Sequence, residues 1–124
     1  YVVELARTLA NHPGVAQVCY PGLESFPQAK LARSQASGFG AMLWFEVDGG
    51  VAAGKRLMDC IELWSLAENL GSVESLITHP VTMTHADVDA AERKRVGITD
   101  GLVRLSCGLE DADDLIDALA RALA

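Results

Sequence analysis

Proline and glycine cluster at four places in the first fifty residues of this chain, His12-Pro13-Gly14, Pro21-Gly22, Gly38-Phe39-Gly40 and Asp48-Gly49-Gly50. Only short helices and strands fit between such breaks, so the fold is confined to a small layered domain. The hydrophobic period then says which segment is which. Val2, Val3, Ala6, Leu9 and Ala10 recur at helical spacing with Glu4, Arg7 and Asn11 between them. Val15 to Tyr20 reads as a short strand, a helix is predicted from about Phe26 to Ser37, and Ala41 to Val47 is apolar enough for a strand buried on most sides.

The second half follows the same grammar with one gap. Ala53, Leu57, Cys60 and Ile61 predict a helix from Val51, giving way to a third strand near Ile61 to Ala67. Asn69 to Thr84 holds no period, carries Gly71 and Pro80, and is expected to be a long ordered loop, the kind of segment that often carries function. Ala86 to Val96 predicts a short helix, acidic at its start and basic at its end, with Gly97 as its stop. Leu102 to Cys107 alternates, setting Val103, Leu105 and Cys107 on one face and Arg104 and Ser106 on the other. Leu115, Ile116, Leu119, Ala120 and Leu123 form the clearest helical pattern, behind an acidic start of Glu110, Asp111, Asp113 and Asp114.

The predicted order α-β-α-β-α-β-loop-α-β-α gives one α/β domain over 1–124, an α+β two-layer arrangement with a small sheet of about four strands covered by helices. Half of the 124 residues are hydrophobic, enough for a core. The net charge of −7 argues against a surface that tracks nucleic-acid phosphates, and the one basic cluster, Arg93-Lys94-Arg95, reads as a turn of solvated helix. No apolar run approaches the ~20 residues of a membrane span. Cys19, Cys60 and Cys107 are widely spaced and suit a reducing cytoplasm, and His12, His79 and His85 lack the short spacings of a metal site. The helical pattern begins at the first residues with no capping residue before it, so the chain is expected to be cut from something longer.

Arg104 offers a guanidinium fork that binds a carboxylate through two parallel hydrogen bonds. From periodicity alone, an ordinary ion pair on the wet face of a strand is the simpler reading. Glu74 can accept a hydrogen bond from an ammonium and Ser75 can donate to an anion, although most loop pairs of this kind do neither. His79 and His85 lie near no nucleophile with an orienting partner and are expected to anchor the loop. Cys107, Trp44 and Trp64 are expected in the core. The only lysines, Lys30, Lys55 and Lys94, fall on polar helical positions where they stay hydrated, poor placing for Schiff-base chemistry. No catalytic group is expected in this chain.

The ordered motifs Tyr20-Pro21-Gly22-Leu23, Ser37-Gly38-Phe39-Gly40, Leu70-Gly71-Ser72-Val73-Glu74-Ser75-Leu76, His79-Pro80, Met83-Thr84-His85, Gly97-Ile98 and Leu102-Val103-Arg104-Leu105-Ser106 resemble the C-terminal domain of the pyridoxal-phosphate (PLP) enzymes of cysteine and methionine metabolism. The resemblance runs over nearly the whole chain and is nearest to cystathionine gamma-synthase and gamma-lyase. It implies the small, mainly antiparallel sheet of the C-terminal domain of fold-type I PLP enzymes. It also implies γ-replacement or γ-elimination on cystathionine or an O-acyl-homoserine, in a cytoplasmic homotetramer.

By the same resemblance Arg104 holds the substrate α-carboxylate, Ser75 lies on the segment whose backbone approaches that group, and Glu74 stands near the distal part of the substrate. The Schiff-base lysine and the other PLP-binding residues belong to an N-terminal region absent here, so the chain alone is expected to be inactive. PLP would act as the electron sink while the protein orients the bond to be broken. Ser72, Asn69, Phe26 and Cys107 depart from the family's common glycine, serine, histidine and valine without removing Arg104, Glu74 or Ser75. A reading from another class is a self-sufficient amino-acid-binding regulatory domain, with the same arginine as its carboxylate sensor.

Overall fold

In a computed structural model, which describes residues 1–69 and 72–124, the chain runs through α1 (Val2–Ala10), β1 (Val15–Cys19), α2 (Ala29–Gln35), β2 (Met42–Val47), α3 (Gly50–Cys60), β3 (Ser65–Leu66), β4 (Leu76–Thr78), a 3₁₀ turn (Pro80–Thr82), α4 (Ala90–Arg95), β5 (Leu102–Ser106) and α5 (Ala112–Leu123). The strands form one sheet in the order β1-β2-β5-β4-β3. Every neighbouring pair is antiparallel except β3 with β4.

The sheet therefore has five strands rather than four. The added strand, β4, lies within the segment expected to be an irregular loop, and the reason is burial on both faces: Leu76, Ile77 and Thr78 are all buried, which erases the alternation by which a half-exposed strand is recognised. β3 shrinks from the expected Ile61 to Ala67 to two exposed residues at the sheet edge, short as edge strands often are. The helix expected from Phe26 begins at Ala29, because Pro27 disfavours helical geometry at the residue before it. The helix expected from Ala86 begins at Ala90, where Asp89 caps it by accepting from the N–H groups of Ala91 and Glu92 at 2.9 and 3.3 Å. Gly97 ends α4 with φ +84°, the left-handed conformation a glycine accepts without strain.

One core joins three helices to one face of the sheet. Leu5 and Leu9 of α1, Leu57 of α3 and Leu115 and Leu119 of α5 cluster with Leu43, Phe45 and Val47 of β2 and Val103 and Leu105 of β5. Strand alternation turns the intervening residues to the opposite face. There Cys19, Trp44, Arg104 and Thr78 stand in register across β1, β2, β5 and β4, a single row spanning four strands. Ser106 shares that face yet is buried, a departure from the wet position expected of it. It lies opposite Met42 and Leu76 on the flanking strands.

α5 is fixed at its start by Asp111, whose carboxylate accepts from Asp113 and Asp114 N–H at 2.9 and 3.4 Å. Among the described residues, no helix is long and apolar enough to cross a membrane. No group of three or more His, Cys, Asp or Glu side chains there is placed to hold a metal ion.

Candidate functional site

Arg104 occupies the central strand of the sheet, on the face away from the three helices. Its Nη2 donates to Thr78 Oγ1 at 3.1 Å and to the Asn69 carbonyl at 3.2 Å. Thr78 Oγ1 in turn donates to the Ala67 carbonyl at 2.6 Å. The guanidinium is thus oriented by neutral oxygens. Among the described residues the only salt bridge is Arg95 with Glu92, at 2.6 Å, so Arg104 has no carboxylate to neutralise it. The surface ion pair expected from periodicity is therefore not formed among the described residues, and a guanidinium so placed can bind an anion.

Beside Arg104 lies an open cleft of about 270 Å³ lined by Cys19, Pro21, Phe26, Met42 and Trp44 as well as the arginine. Its walls are apolar apart from the guanidinium, a combination suited to a small molecule with one anionic end and a hydrocarbon or thioether body. Trp44 departs from expectation here: it is half-buried in the cleft wall. Trp64 is a core residue as expected, with its indole N–H directed at the Leu115 carbonyl at 3.3 Å.

Ser75 is fully buried and turned towards the start of α5. Its N–H and hydroxyl donate to the two oxygens of the Glu110 carboxylate, each at 2.7 Å, and its Oγ accepts from Gly108 N–H at 2.8 Å. Glu74 is exposed and accepts from Ser72 Oγ at 3.0 Å. The polar atoms nearest to Arg104 come instead from Thr78 and Asn69, which sequence reasoning did not select. Thr78 becomes visible once β4 is placed in register with β5, whereas nothing in the spacing of Asn69 marks it. Leu70 and Gly71, part of the motif that carried the resemblance, lie outside the described residues.

His79 anchors its segment, as expected. It is buried, with Nδ1 2.8 Å from Thr82 Oγ1 and Nε2 2.9 Å from the Asp100 carbonyl. His85 is half-buried, with Nδ1 2.8 Å from Thr84 Oγ1. Burial pushes the Cys107 thiol up to about 12, with a smaller contribution from Glu110, so it stays protonated and inert.

The sequence matches the family model described as Cys/Met metabolism PLP-dependent enzyme over residues 2–124. The chain belongs to that family. It is 51% identical over 119 residues to the L-methionine gamma-lyase of Pseudomonas putida, covering 96% of this chain. It is 47% identical to the cystathionine gamma-lyase of Dictyostelium discoideum and 46% identical to the cystathionine beta-lyase of Coxiella burnetii, over 96% and 98% of this chain. The chain spans about 30% of the length of these curated relatives.

The PLP-dependent family implies a cofactor, and the described residues do not fit one. Lys30, Lys55 and Lys94 are all exposed, on α2, α3 and α4, and none lines the Arg104 cleft. What the described residues do offer is a guanidinium bonded to neutral oxygens beside an apolar wall.

Proposed function

We propose that this chain is the substrate-binding domain of a PLP-dependent enzyme that acts by elimination or replacement at the γ-carbon of a sulfur amino acid or an O-acyl-homoserine, with the cofactor-binding residues supplied by the rest of the protein. Arg104 holds the α-carboxylate of the substrate, and the chain alone is inactive. The observation that carries this reading is the unneutralised Arg104 guanidinium beside the apolar cleft. A fixed carboxylate limits the poses of the reacting carbon, so the clamp contributes to rate as well as affinity.

Glu74 supports cystathionine as a substrate. Cystathionine carries a second ammonium at its distal end, for which an exposed carboxylate is a partner, whereas methionine ends in a methyl group. Ser75 contributes through the backbone it fixes rather than through its buried hydroxyl. The three free cysteines suit a reducing cytoplasm, and the whole enzyme is read as a homotetramer.

The test is steady-state kinetics of the full-length enzyme on cystathionine, methionine and an O-acyl-homoserine with cysteine or sulfide. Arg104→Lys keeps the charge but loses the fork, and kcat/KM falls on the order of 10- to 100-fold on every substrate with cofactor absorbance intact. Glu74→Gln lowers kcat/KM for cystathionine while sparing methionine. An Arg104→Lys enzyme with unchanged KM would sink the proposal.

A further inference from the structure

Trp44 stands directly opposite Arg104 in the register of β2 and β5, and Cys19 stands opposite Trp44 on β1. Its neighbours in the strand, Leu43 and Phe45, are buried in the core, and β2 is paired on both edges, so the backbone beneath the indole is fixed. Neighbouring strands lie about 4.8 Å apart. Two long side chains rising from a directly opposed pair therefore flank the same space, and both line the cleft of about 270 Å³. Another part of its lining comes from the turn that follows β1. Tyr20 is buried there with its hydroxyl donating to the Gly40 carbonyl at 2.8 Å, while Leu23 and Phe26 N–H donate to the Tyr20 and Leu23 carbonyls at 3.0 and 3.2 Å. That pinned turn sets Pro21 and Phe26 at the cleft. Trp44 and Phe26 are each half-buried, so aromatic surface is left open on a rigid support.

We propose that Trp44 is a specificity-determining residue, its indole packing against the uncharged chain, from Cβ to the δ-position, of an amino acid whose α-carboxylate is held by Arg104. The inference rests on the reading of Arg104 given above and concerns the chain rather than the carboxylate. A carboxylate on the guanidinium brings the next carbons of the ligand within about one strand spacing of the indole. Each methylene moved from water onto that ring is stabilised in proportion to the area it buries. A polar chain finds no such partner. Beside the guanidinium, Cys19, Pro21, Phe26 and Met42 offer no side-chain hydrogen-bonding group stronger than a thiol, so an amide placed against them gives up water without replacement. The wall therefore favours a hydrocarbon or thioether segment next to the carboxylate, which methionine and cystathionine share.

The experiment measures two competitive inhibitors of the full-length enzyme: norleucine, which is methionine with a methylene in place of sulfur, and glutamine, which ends a chain of similar length in an amide. Each is titrated against wild type, Trp44→Ala, Trp44→Phe and Arg104→Lys. Trp44→Ala is expected to raise Ki for norleucine about tenfold, the effect of uncovering roughly two methylene groups, and to leave Ki for glutamine within about threefold. Trp44→Phe keeps a ring and stays within about threefold of wild type for both. Arg104→Lys raises both, because the two ligands share the carboxylate. If Trp44→Ala leaves norleucine unmoved, or weakens the two ligands equally, while Arg104→Lys weakens both, the role of Trp44 is wrong and the reading of Arg104 stands. If Arg104→Lys leaves both unmoved, the reading of Arg104 is wrong and the role of Trp44 falls with it. Should Trp44→Ala fail to fold, Trp44→Thr, a small residue suited to strands, carries the same comparison.

Discussion

Thr78 and Arg104 face each other across β4 and β5, and the threonine hydroxyl accepts from Arg104 Nη2 at 3.1 Å while donating to the Ala67 carbonyl at 2.6 Å. One buried hydroxyl thus links the guanidinium to the end of β3. Thr78→Val keeps the shape and removes both hydrogen bonds. It is expected to cost about 1–3 kcal/mol in urea denaturation, the range for stranding a buried partner, and to raise KM for substrate in the full-length enzyme. A loss of stability with KM unchanged would mean that Thr78 supports the sheet and not the arginine.

His79 is pressed against the backbone of α3 at Gly54, where a Cβ would overlap the imidazole. Gly54→Ala forces the buried ring off its bonds to Thr82 and Asp100. We expect a loss of about 1–3 kcal/mol from overpacking, read as a lower Tm, although alanine is the better helix former. An unchanged or higher Tm would show that helix propensity outweighs the contact.

How much was legible beforehand follows from where each residue's partners lie in the sequence. Alternation over Leu102 to Cys107 places Arg104 off the core side, and the acidic start and periodic leucines of α5 read correctly because such patterns are local. β4 escaped because its three residues are buried on both faces. Trp44 was assigned to the core on the general habit of tryptophan, and only the register of β1, β2 and β5 sets it in the cleft beside Arg104. The pairing of Ser75 with Glu110 spans 35 positions, and no spacing rule connects a loop serine to an acidic residue ahead of a distant helix. Glu110 read instead as part of the charge favoured at a helix start.

Asp111 begins α5 by accepting from two backbone N–H groups. Asp111→Ala is expected to destabilise the domain by about 1 kcal/mol, measured by chemical denaturation, with Asp111→Asn close to wild type because the amide oxygen still caps. Equal losses in the two variants would point to lost charge rather than to a lost cap.

Acid should loosen the grip on Ser75. Glu110 is held below its ordinary value of 4.5, with burial opposing and the Ser75 hydrogen bonds prevailing. A carboxylate with a depressed folded-state value adds stability that is fully present above 4.5 and lost as pH falls through the lower folded value. Tyr1 and Cys107, which interact with this carboxylate, are both raised to about 12, chiefly by burial, and stay neutral throughout. Stability measured from neutral pH into the acid range should therefore fall more steeply in wild type than in Glu110→Gln. Parallel curves would show that Ser75 does not depend on the ionised form.

The cysteines give a separate check on packing. Cys60 is exposed and Cys107 is buried with its thiol raised to about 12. In the folded protein near pH 8, iodoacetamide should modify Cys60 faster than Cys107 by on the order of tenfold or more, as thiolate fraction and access dictate. Comparable rates would mean that the end of β5 opens readily.

The strand that carries Arg104 is the last of the five in sequence, yet it lies in the middle of the sheet between β2 and β4. On a ribosome, β1 and β2 emerge early and can pair, but β3 and β4 have no route to them until residues 102–106 arrive to bridge the two pairs. Sheet closure and delivery of Arg104 to its cleft are thus one late, long-range event. A nascent chain stopped short of β5 leaves the edges of β2 and β4 open to foreign strands, which makes this a point in synthesis where protection from aggregation matters.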